Sequence, residues 1–180
     1  MNLVERLKGI LLSPKTEWPK IAAEPMTAQG IYTNWVMILA AIGPLVLLAT
    51  TQGLAFAIAQ YVMVLAVTAI MAFVIDALAP SFGGSKDFVA ALKLSAFSYT
   101  AAFVGAIFGL LGAVGTILSI AAGVYAWYTF FLGAPVLGKC AQEKALVYTI
   151  VVVVAGLVIG IVFGLGMAGM GLAPKPALPA

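Results

Sequence analysis

The sequence predicts an all-α integral membrane protein, in which five transmembrane helices form a bundle after an amphipathic N-terminal segment. Of its 180 residues, 64% are hydrophobic and only 8% are charged, and the mean hydropathy is +1.16. A soluble domain is about 45–50% apolar and about 25% charged. The charged residues are separated by long uncharged intervals, at residues 25–75, 94–138 and 145–174. Because a span needs about 20 residues and must be helical in a core without water, the intervals hold two, two and one helices.

We predict the spans at residues 31–50, 54–78, 88–111, 114–132 and 145–170. The break between the third and fourth spans contains glycines but no polar residue. It follows from length, since one helix over that whole interval would be about twice too long for a bilayer. The predicted organisation is a cytoplasmic amphipathic segment at 1–26, the five-helix domain at 27–171 and a mobile proline-rich tail at 172–180.

The basic residues are distributed unequally between the two sides of this threading. One side carries only Lys175, and the other carries eight basic residues: Arg6, Lys8, Lys15, Lys20, Lys86, Lys93, Lys139 and Lys144. Lysine and arginine accumulate in cytoplasmic loops. The pattern therefore predicts a multi-pass protein of the cytoplasmic (inner) membrane, with its N-terminus in the cytoplasm and its C-terminus outside.

The N-terminal segment is amphipathic. Leucine, valine and isoleucine side chains at positions 3, 4, 7, 10 and 11 fall on one helical face, and Glu5, Arg6 and Lys8 fall on the other. Two interpretations stay open. The segment lies on the inner leaflet with Trp18 as its anchor, or the same face packs on the protein's own cytoplasmic loops.

Two ionisable residues fall within the predicted spans. Asp76 is near the cytoplasmic end of the second span, and Lys93 is about one and a half turns into the third. Such residues are candidates for a proton or ion path. The alternative is structural: the two side chains form an ion pair, or both reach toward the interface.

Glycines recur every four residues in the fifth span, at Gly156, Gly160 and Gly164. This spacing puts them on one helical face, where another backbone can approach closely. The partner is a helix of the same chain or of a second copy, so a homodimer is one of the two expectations.

The sequence argues against catalysis. It has no histidine, which is the commonest general base and metal ligand, and its single Cys140 allows no internal disulfide. No nucleophile elbow, phosphate-binding glycine loop or metal-ligand cluster occurs. No basic run with interleaved aromatic residues suggests nucleic-acid binding. We therefore expect no enzyme activity, no metal and no cofactor.

A resemblance to a known family begins at the end of the fourth span. The stretch 125–149 resembles the bacterial branch of the Yip family, in which a tyrosine-rich run precedes a Gly-x-Pro-x-Leu turn, a lysine, then Lys-Ala and Tyr-Thr. The matching positions are Tyr125, Tyr128, Gly133, Pro135, Leu137, Lys139, Lys144, Ala145, Tyr148 and Thr149. The opening LKGILLSPKTEWPKIAAEP is similar to the family's N-terminal segment, with Trp18 and Glu24 in matching places. Departures occur at Ala101, Phe103, Gly138 and Ala141.

The resemblance implies five helices with a cytoplasmic N-terminus. In eukaryotic members it also implies GTPase binding and vesicle traffic, which kinship of fold does not transfer. We predict a non-catalytic scaffold that binds a protein partner or anionic membrane lipid at a cytoplasmic face, with a role in membrane organisation or trafficking. The alternative is a small ion or solute channel with a path near Asp76 and Lys93. The predicted face comprises Trp18, Glu24, Lys86, Pro135, Lys139, Glu143 and Lys144.

Overall fold

All secondary structure in the described part of the chain is helical. The structure, a computed structural model, describes residues 2–50 and 53–172. We number the helices α1 Leu3–Leu12, α2 Pro14–Ala23, α3 Ala28–Ala49, α4 Leu54–Leu78, α5 Phe88–Ser98, α6 Thr100–Gly105, α7 Gly112–Leu137 and α8 Ala145–Gly169. Short 3₁₀ segments occur at Ala79–Phe82, Ala106–Leu111 and Gln142–Lys144, and α3 contains a π-helical turn at Tyr32–Val36. Residues 173–180, most of the predicted tail, lie outside the described residues.

Four helical stretches in the described ranges are long and apolar enough to cross a membrane. They are Ala28–Ala49, Leu54–Phe82, Phe88–Leu137 and Gln142–Gly169. Their length and composition identify an integral membrane protein. The predicted second span coincides with α4, and the predicted first and fifth spans overlap α3 and α8 over most of their length.

The third stretch reverses direction at the predicted break. Gly112 has a φ of +58°, a region that favours glycine, and α7 begins there. On either side of this turn, Gly105 faces Ala122, and Gly133 faces Leu94. The 50 residues of the stretch would extend about 75 Å as one straight helix. They instead form two antiparallel arms.

The first long helix is interrupted near its proline. The α-helical ladder of α3 breaks at Ala41 and resumes at Ile42. Pro44 lies three residues after Ala41 and has no N–H to donate to the preceding turn. A proline inside a helix is a usual cause of such an interruption.

The centre of the bundle is α5. Every residue at positions 91–98 is buried, because α5 packs against α3, α4 and α7 and its Lys93 binds the end of α2. Trp35 of α3 and Phe97 of α5 form an aromatic pair with ring centroids 4.7 Å apart. Since the N-terminal α2 helps to enclose α5, the N-terminal segment is an integral layer of the core.

Candidate functional site

Two loops meet at one end of the bundle. The backbone N–H of Ala141 donates a hydrogen bond to the Phe82 carbonyl over 3.2 Å. Gly84 lies so close to the carbonyl of Gly138 that a Cβ at position 84 would collide with it. The loop after α4 and the loop after α7 are therefore docked on each other through main-chain contacts.

Tyr148 of α8 packs against the docked loops on the side that faces the bundle core. Its side chain is fully buried, and its hydroxyl donates a hydrogen bond to the Ile75 carbonyl over 2.7 Å. Its ring stacks on Phe82 at 4.8 Å and meets the edge of Phe130 at 5.7 Å. Because one side chain contacts α4, α7 and the first loop, the docked loops have a rigid base.

Four of the predicted site residues are exposed on the docked loops. We call this set the loop face, and it consists of Lys86, Lys139, Glu143 and Lys144. Lys139 has a φ of +50°, a left-handed conformation that is uncommon for a residue with a side chain. Pro135, the fifth predicted loop residue, lies half-buried within α7 and contributes shape rather than charge.

Trp18 does not lie on an exposed face, contrary to the prediction. It is completely buried, and its indole N–H donates to the Thr129 carbonyl over 3.0 Å. A Cβ at Gly133 would lie 2.5 Å from the Trp18 ring, so glycine is needed for the tryptophan to fit. Of the two interpretations left open, packing on the protein is the closer one, but Trp18 packs on helix α7 and not on the predicted loops. The reason is that the indole fits a recess beside Gly133, which a linear sequence does not display.

Charged groups hold α1 and α2 together. Arg6 donates to Glu17 over 2.6 Å and also pairs with Glu24, and Lys20 pairs with Glu17 over 3.0 Å. A Cβ at Gly9 would lie 2.5 Å from the Glu17 carboxyl carbon. The absence of a side chain at Gly9 therefore lets the two helices approach closely. Glu24 is thus half-buried in an ionic cluster. Sequence reasoning did not identify Arg6 and Glu17 as members of this cluster. The sequence feature that indicates it is the presence of opposite charges on a short helical segment.

Lys93 and Asp76 bind different partners instead of each other. The buried Lys93 ammonium donates to the carbonyls of Ile21 (2.9 Å) and Glu24 (2.6 Å), at the C-terminal end of α2. A cation at this end of a helix satisfies carbonyls that have no helical partner. Asp76 instead accepts a hydrogen bond from the Asp87 backbone N–H over 2.7 Å. The intramembrane pair expected from the sequence is therefore not formed.

The predicted glycine face of α8 divides into two parts. A Cβ at Gly156 would lie 3.3 Å from the Tyr99 hydroxyl and 3.4 Å from the Met71 methyl, so this glycine packs against α4 and the junction of α5 with α6. Gly160 and Gly164 have no such neighbour within 4 Å among the described residues. The first glycine has an intramolecular partner, and the other two are open.

A cavity of about 300 Å³ lies between α3, α4 and α6, and Gly160 of α8 borders it. Its lining is mainly apolar, with Gln60, Thr68 and Tyr99 as its polar side chains. A second cavity of about 360 Å³ lies where α3 begins, between Leu3, Asn34 and Phe97. Neither cavity includes Asp76 or Lys93 in its lining.

Comparison with known proteins gives one match. The Yip1 domain matches residues 8–163, which include α2 to α7, the loop face and most of α8. No curated protein and no solved structure matches the chain.

Proposed function

Because this chain belongs to the Yip1 domain family, we propose that it is a non-catalytic membrane scaffold that binds a protein partner or anionic lipid at its cytoplasmic end. The observation that carries this proposal is the loop face. Three lysines and one glutamate are exposed there on two loops that are locked together. A rigid surface loses little conformational freedom on binding, and each lysine near an anionic membrane surface contributes about 1 kcal/mol.

The threading that places the loop face in the cytoplasm has five crossings of the inner membrane. The reversal at Gly112 supports this count, because it divides the longest apolar stretch into two arms that each suit one crossing. The concentration of lysines at the loop-face end supports an internal N-terminus and an external C-terminus. Labelling of single cysteines at Lys8 and Lys139 from the two sides of the membrane tests the orientation.

The absence of catalysis is part of the same proposal. The chain has no histidine, and the described residues include no group of three or more metal-ligating side chains. The carboxylates of Asp76 and Asp87 accept hydrogen bonds from backbone N–H groups, so these two residues have structural partners. Membrane organisation or trafficking is the role that we propose for a scaffold of this kind.

The decisive experiment removes the charge of the loop face. We expect the Lys139→Gln/Lys144→Gln double variant, purified from membranes, to lose bound acidic lipid or a co-purifying protein, as measured by mass spectrometry. The Lys139→Arg/Lys144→Arg variant is the matched control, because it keeps both charges. Unchanged lipid and protein content in the glutamine variant would refute binding at this face.

A homodimer through α8 is a separate part of the proposal. Gly160 and Gly164 are open, so a second helix has room to approach. We expect Gly160→Cys, in a Cys140→Ser background, to form a disulfide-linked dimer in native membranes. Gly156→Cys is the control that should not crosslink, because that position faces Tyr99 and Met71.

A channel or transporter remains the second candidate. The cavity that Gln60, Thr68 and Tyr99 line favours it, since polar groups within a span can contact a small solute. Ion or solute flux into liposomes, compared between the wild type and Gln60→Leu, distinguishes the candidates. A flux that the substitution abolishes would reverse our order of preference.

A further inference from the structure

The apolar outer surface has different heights on two sides of the bundle. On the α8 side, large exposed apolar side chains run from Leu146 to Met170. The 25 residues of this helix extend about 37 Å. That height exceeds the hydrocarbon core of a bilayer, which is about 30 Å.

The opposite side is much shorter, as α7 shows. Its large exposed aliphatic side chains run from Val114 to Val124, and the next one, Val136, lies near its C-terminal end. Beyond Val124 one face of the helix is covered by the N-terminal hairpin, which we define as α1 and α2. Tyr125 donates to the Leu11 carbonyl over 2.7 Å, and the bond from Trp18 to Thr129 follows one turn later. The distance from Gly112 to Tyr125 along the helix is about 20 Å.

Helix α3, which borders the cavity beneath α1, has the same short apolar surface. Its first exposed side chains are polar, at Gln29, Thr33 and Asn34, and its first large exposed apolar side chain is Met37. From Met37 to Ala49 the helix rises about 18 Å. Two helices that border the hairpin therefore have an apolar height of about 20 Å.

The difference lies at the loop-face end of the bundle. Ala126, just after Tyr125, borders the same small space as Val152 and Val153 of α8, so these residues are at one height. Toward Lys144, α8 continues for another ~12 Å. Leu146, Val147 and Ile150 are exposed in that zone. At the same heights on the other side are the hairpin and its charges.

Tilting the bundle in a flat membrane cannot remove this mismatch. A tilt lowers one side and raises the other, but it shortens every projected height and lengthens none. An apolar surface of about 20 Å beside a core of about 30 Å is accommodated when the bilayer becomes thinner locally.

The hairpin carries the charges that such a thinning requires. Lys8, Lys15 and Lys20 are exposed on it. At its turn, Lys15 and Leu12 border a recess of about 280 Å³ together with Tyr125 and Tyr128. Lysine beside tyrosine is typical of the headgroup level of a membrane, where the amine meets phosphate and the apolar atoms meet the acyl chains.

We propose that the inner leaflet is thinned beside the N-terminal hairpin, where Lys8, Lys15 and Lys20 hold anionic phospholipid headgroups about 10 Å below their usual plane. The proposal rests on the proposed function only in its premise that the chain spans a bilayer with the hairpin on the cytoplasmic side. It does not require any ligand at the loop face.

Spin labels at equal structural height test the thinning. The full chain, with Cys140→Ser, is labelled at Asn34→Cys or Tyr128→Cys on the hairpin side and at Ile150→Cys on α8. In phosphatidylglycerol–phosphatidylcholine vesicles, we expect the first two labels to collide with a water-soluble nickel chelate and the third with oxygen in the hydrocarbon. A label at Leu111→Cys marks the outer end of the short side, and it should stay at the outer interface.

Three results would overturn the proposal. Equal depths of the Tyr128 and Ile150 labels would mean that the bilayer is flat. A Leu111 label that moves into the hydrocarbon by the amount that Tyr128 rises would mean tilt without thinning. Dipolar broadening at Ile150 would mean that a second copy, and not lipid, covers α8. None of these results depends on lipid or partner content at the loop face, so failure of the proposed function is recognised separately.

The part assigned to the lysines has its own test. The Lys8→Gln/Lys15→Gln/Lys20→Gln variant, or wild type in phosphatidylcholine alone, should lose nickel accessibility at Tyr128 several-fold. The matched Lys86→Gln/Lys139→Gln/Lys144→Gln variant should keep it. Thinning that persists without the hairpin lysines would refute headgroup binding by these residues.

Discussion

The indole N–H of Trp18 donates a hydrogen bond to the backbone carbonyl of Thr129, and this 3.0 Å contact joins residues 111 positions apart. It connects the N-terminal hairpin to the arm that leads to the loop face. Together with the bond from Tyr125 to Leu11, it makes the hairpin part of the bundle. The stability of the whole chain should therefore depend on residues near its N-terminus.

Replacement of Trp18 tests this dependence. Trp18→Ala should lower the free energy of unfolding in detergent by about 3–5 kcal/mol, because it leaves a large cavity beside Leu94 and Gly133. Trp18→Phe, which keeps one aromatic ring but loses the N–H and the rest of the indole, should cost less, about 1–3 kcal/mol. Chemical unfolding followed by circular dichroism gives both values. Equal effects of the two substitutions would contradict the role of burial.

A methyl group at Gly133 should disturb the same contact from the other side. Gly133→Ala places a Cβ 2.5 Å from the Trp18 ring and 2.7 Å from the Leu94 methyl, so we expect overpacking to cost about 1–3 kcal/mol. Gly123→Ala in the same helix is the control, since nothing lies within 4 Å of its Cβ. Helix propensity should make that control neutral or slightly stabilising. Thermal unfolding of the two variants checks the difference.

Removal of the Lys93 ammonium should loosen the end of α2. Lys93→Met keeps the apolar stem but leaves the carbonyls of Ile21 and Glu24 without their charged donor. Hydrogen bonds to a charged group contribute about 1.5–3 kcal/mol. We expect trypsin to cleave after Lys20 faster in this variant than in the wild type. Asp76→Asn should leave that cleavage rate unchanged, because its partner Asp87 is on another loop.

The thiol of Cys140 should react slowly. It is buried between the docked loops, and burial raises the pKa of the Cys140 thiol above its ordinary value. Because the thiolate is the nucleophile, a raised pKa leaves less of it at neutral pH. We expect maleimide labelling to be slower than at Glu143→Cys in a Cys140→Ser chain, and to keep rising above pH 8.5. A rate that levels off below that pH would contradict this.

The glycines of α8 should differ in their tolerance of larger side chains. Gly156→Leu forces a side chain into Tyr99 and Met71, so it should destabilise the chain by about 1–3 kcal/mol. Gly164→Leu meets open space and should leave the unfolding midpoint in detergent unchanged. A loss of stability at position 164 that depends on protein concentration would reveal a second copy on this face.

Much of the fold follows from the sequence because the bilayer imposes a simple constraint: each segment that crosses it must be a long apolar helix. Uncharged intervals and a mean hydropathy of +1.16 are sufficient to predict helices near α3, α4 and α8. The break at Gly112 follows from length alone, and the structure has its turn there. The family was also recognisable, because its motif lies within one continuous stretch of sequence.

The candidate site was less predictable, and particular residues show why. The loop face is exposed as predicted, because a charged side chain on a loop stays in contact with water. Its residues are Lys86, Lys139, Glu143 and Lys144. For Trp18 the sequence left a membrane interface and internal packing open, and for Lys93 it left an ion path, an ion pair with Asp76 and the interface open. Their actual partners are a carbonyl 111 residues away and the end of α2, and no local pattern specifies such contacts.

The sequence by itself determined that this chain is a helical membrane protein of the Yip1 domain family and where its charged loops fall. The free energy of transferring a side chain from water to hydrocarbon depends on that residue's own chemistry. The membrane-spanning segments and the charged loops can therefore be found from the sequence alone. Only the tertiary structure decided that the hairpin packs on α7 and that Lys93 binds the end of α2. It also decided that the apolar surface is shorter on one side. Those features depend on shape complementarity between residues distant in sequence, which only the folded chain brings together.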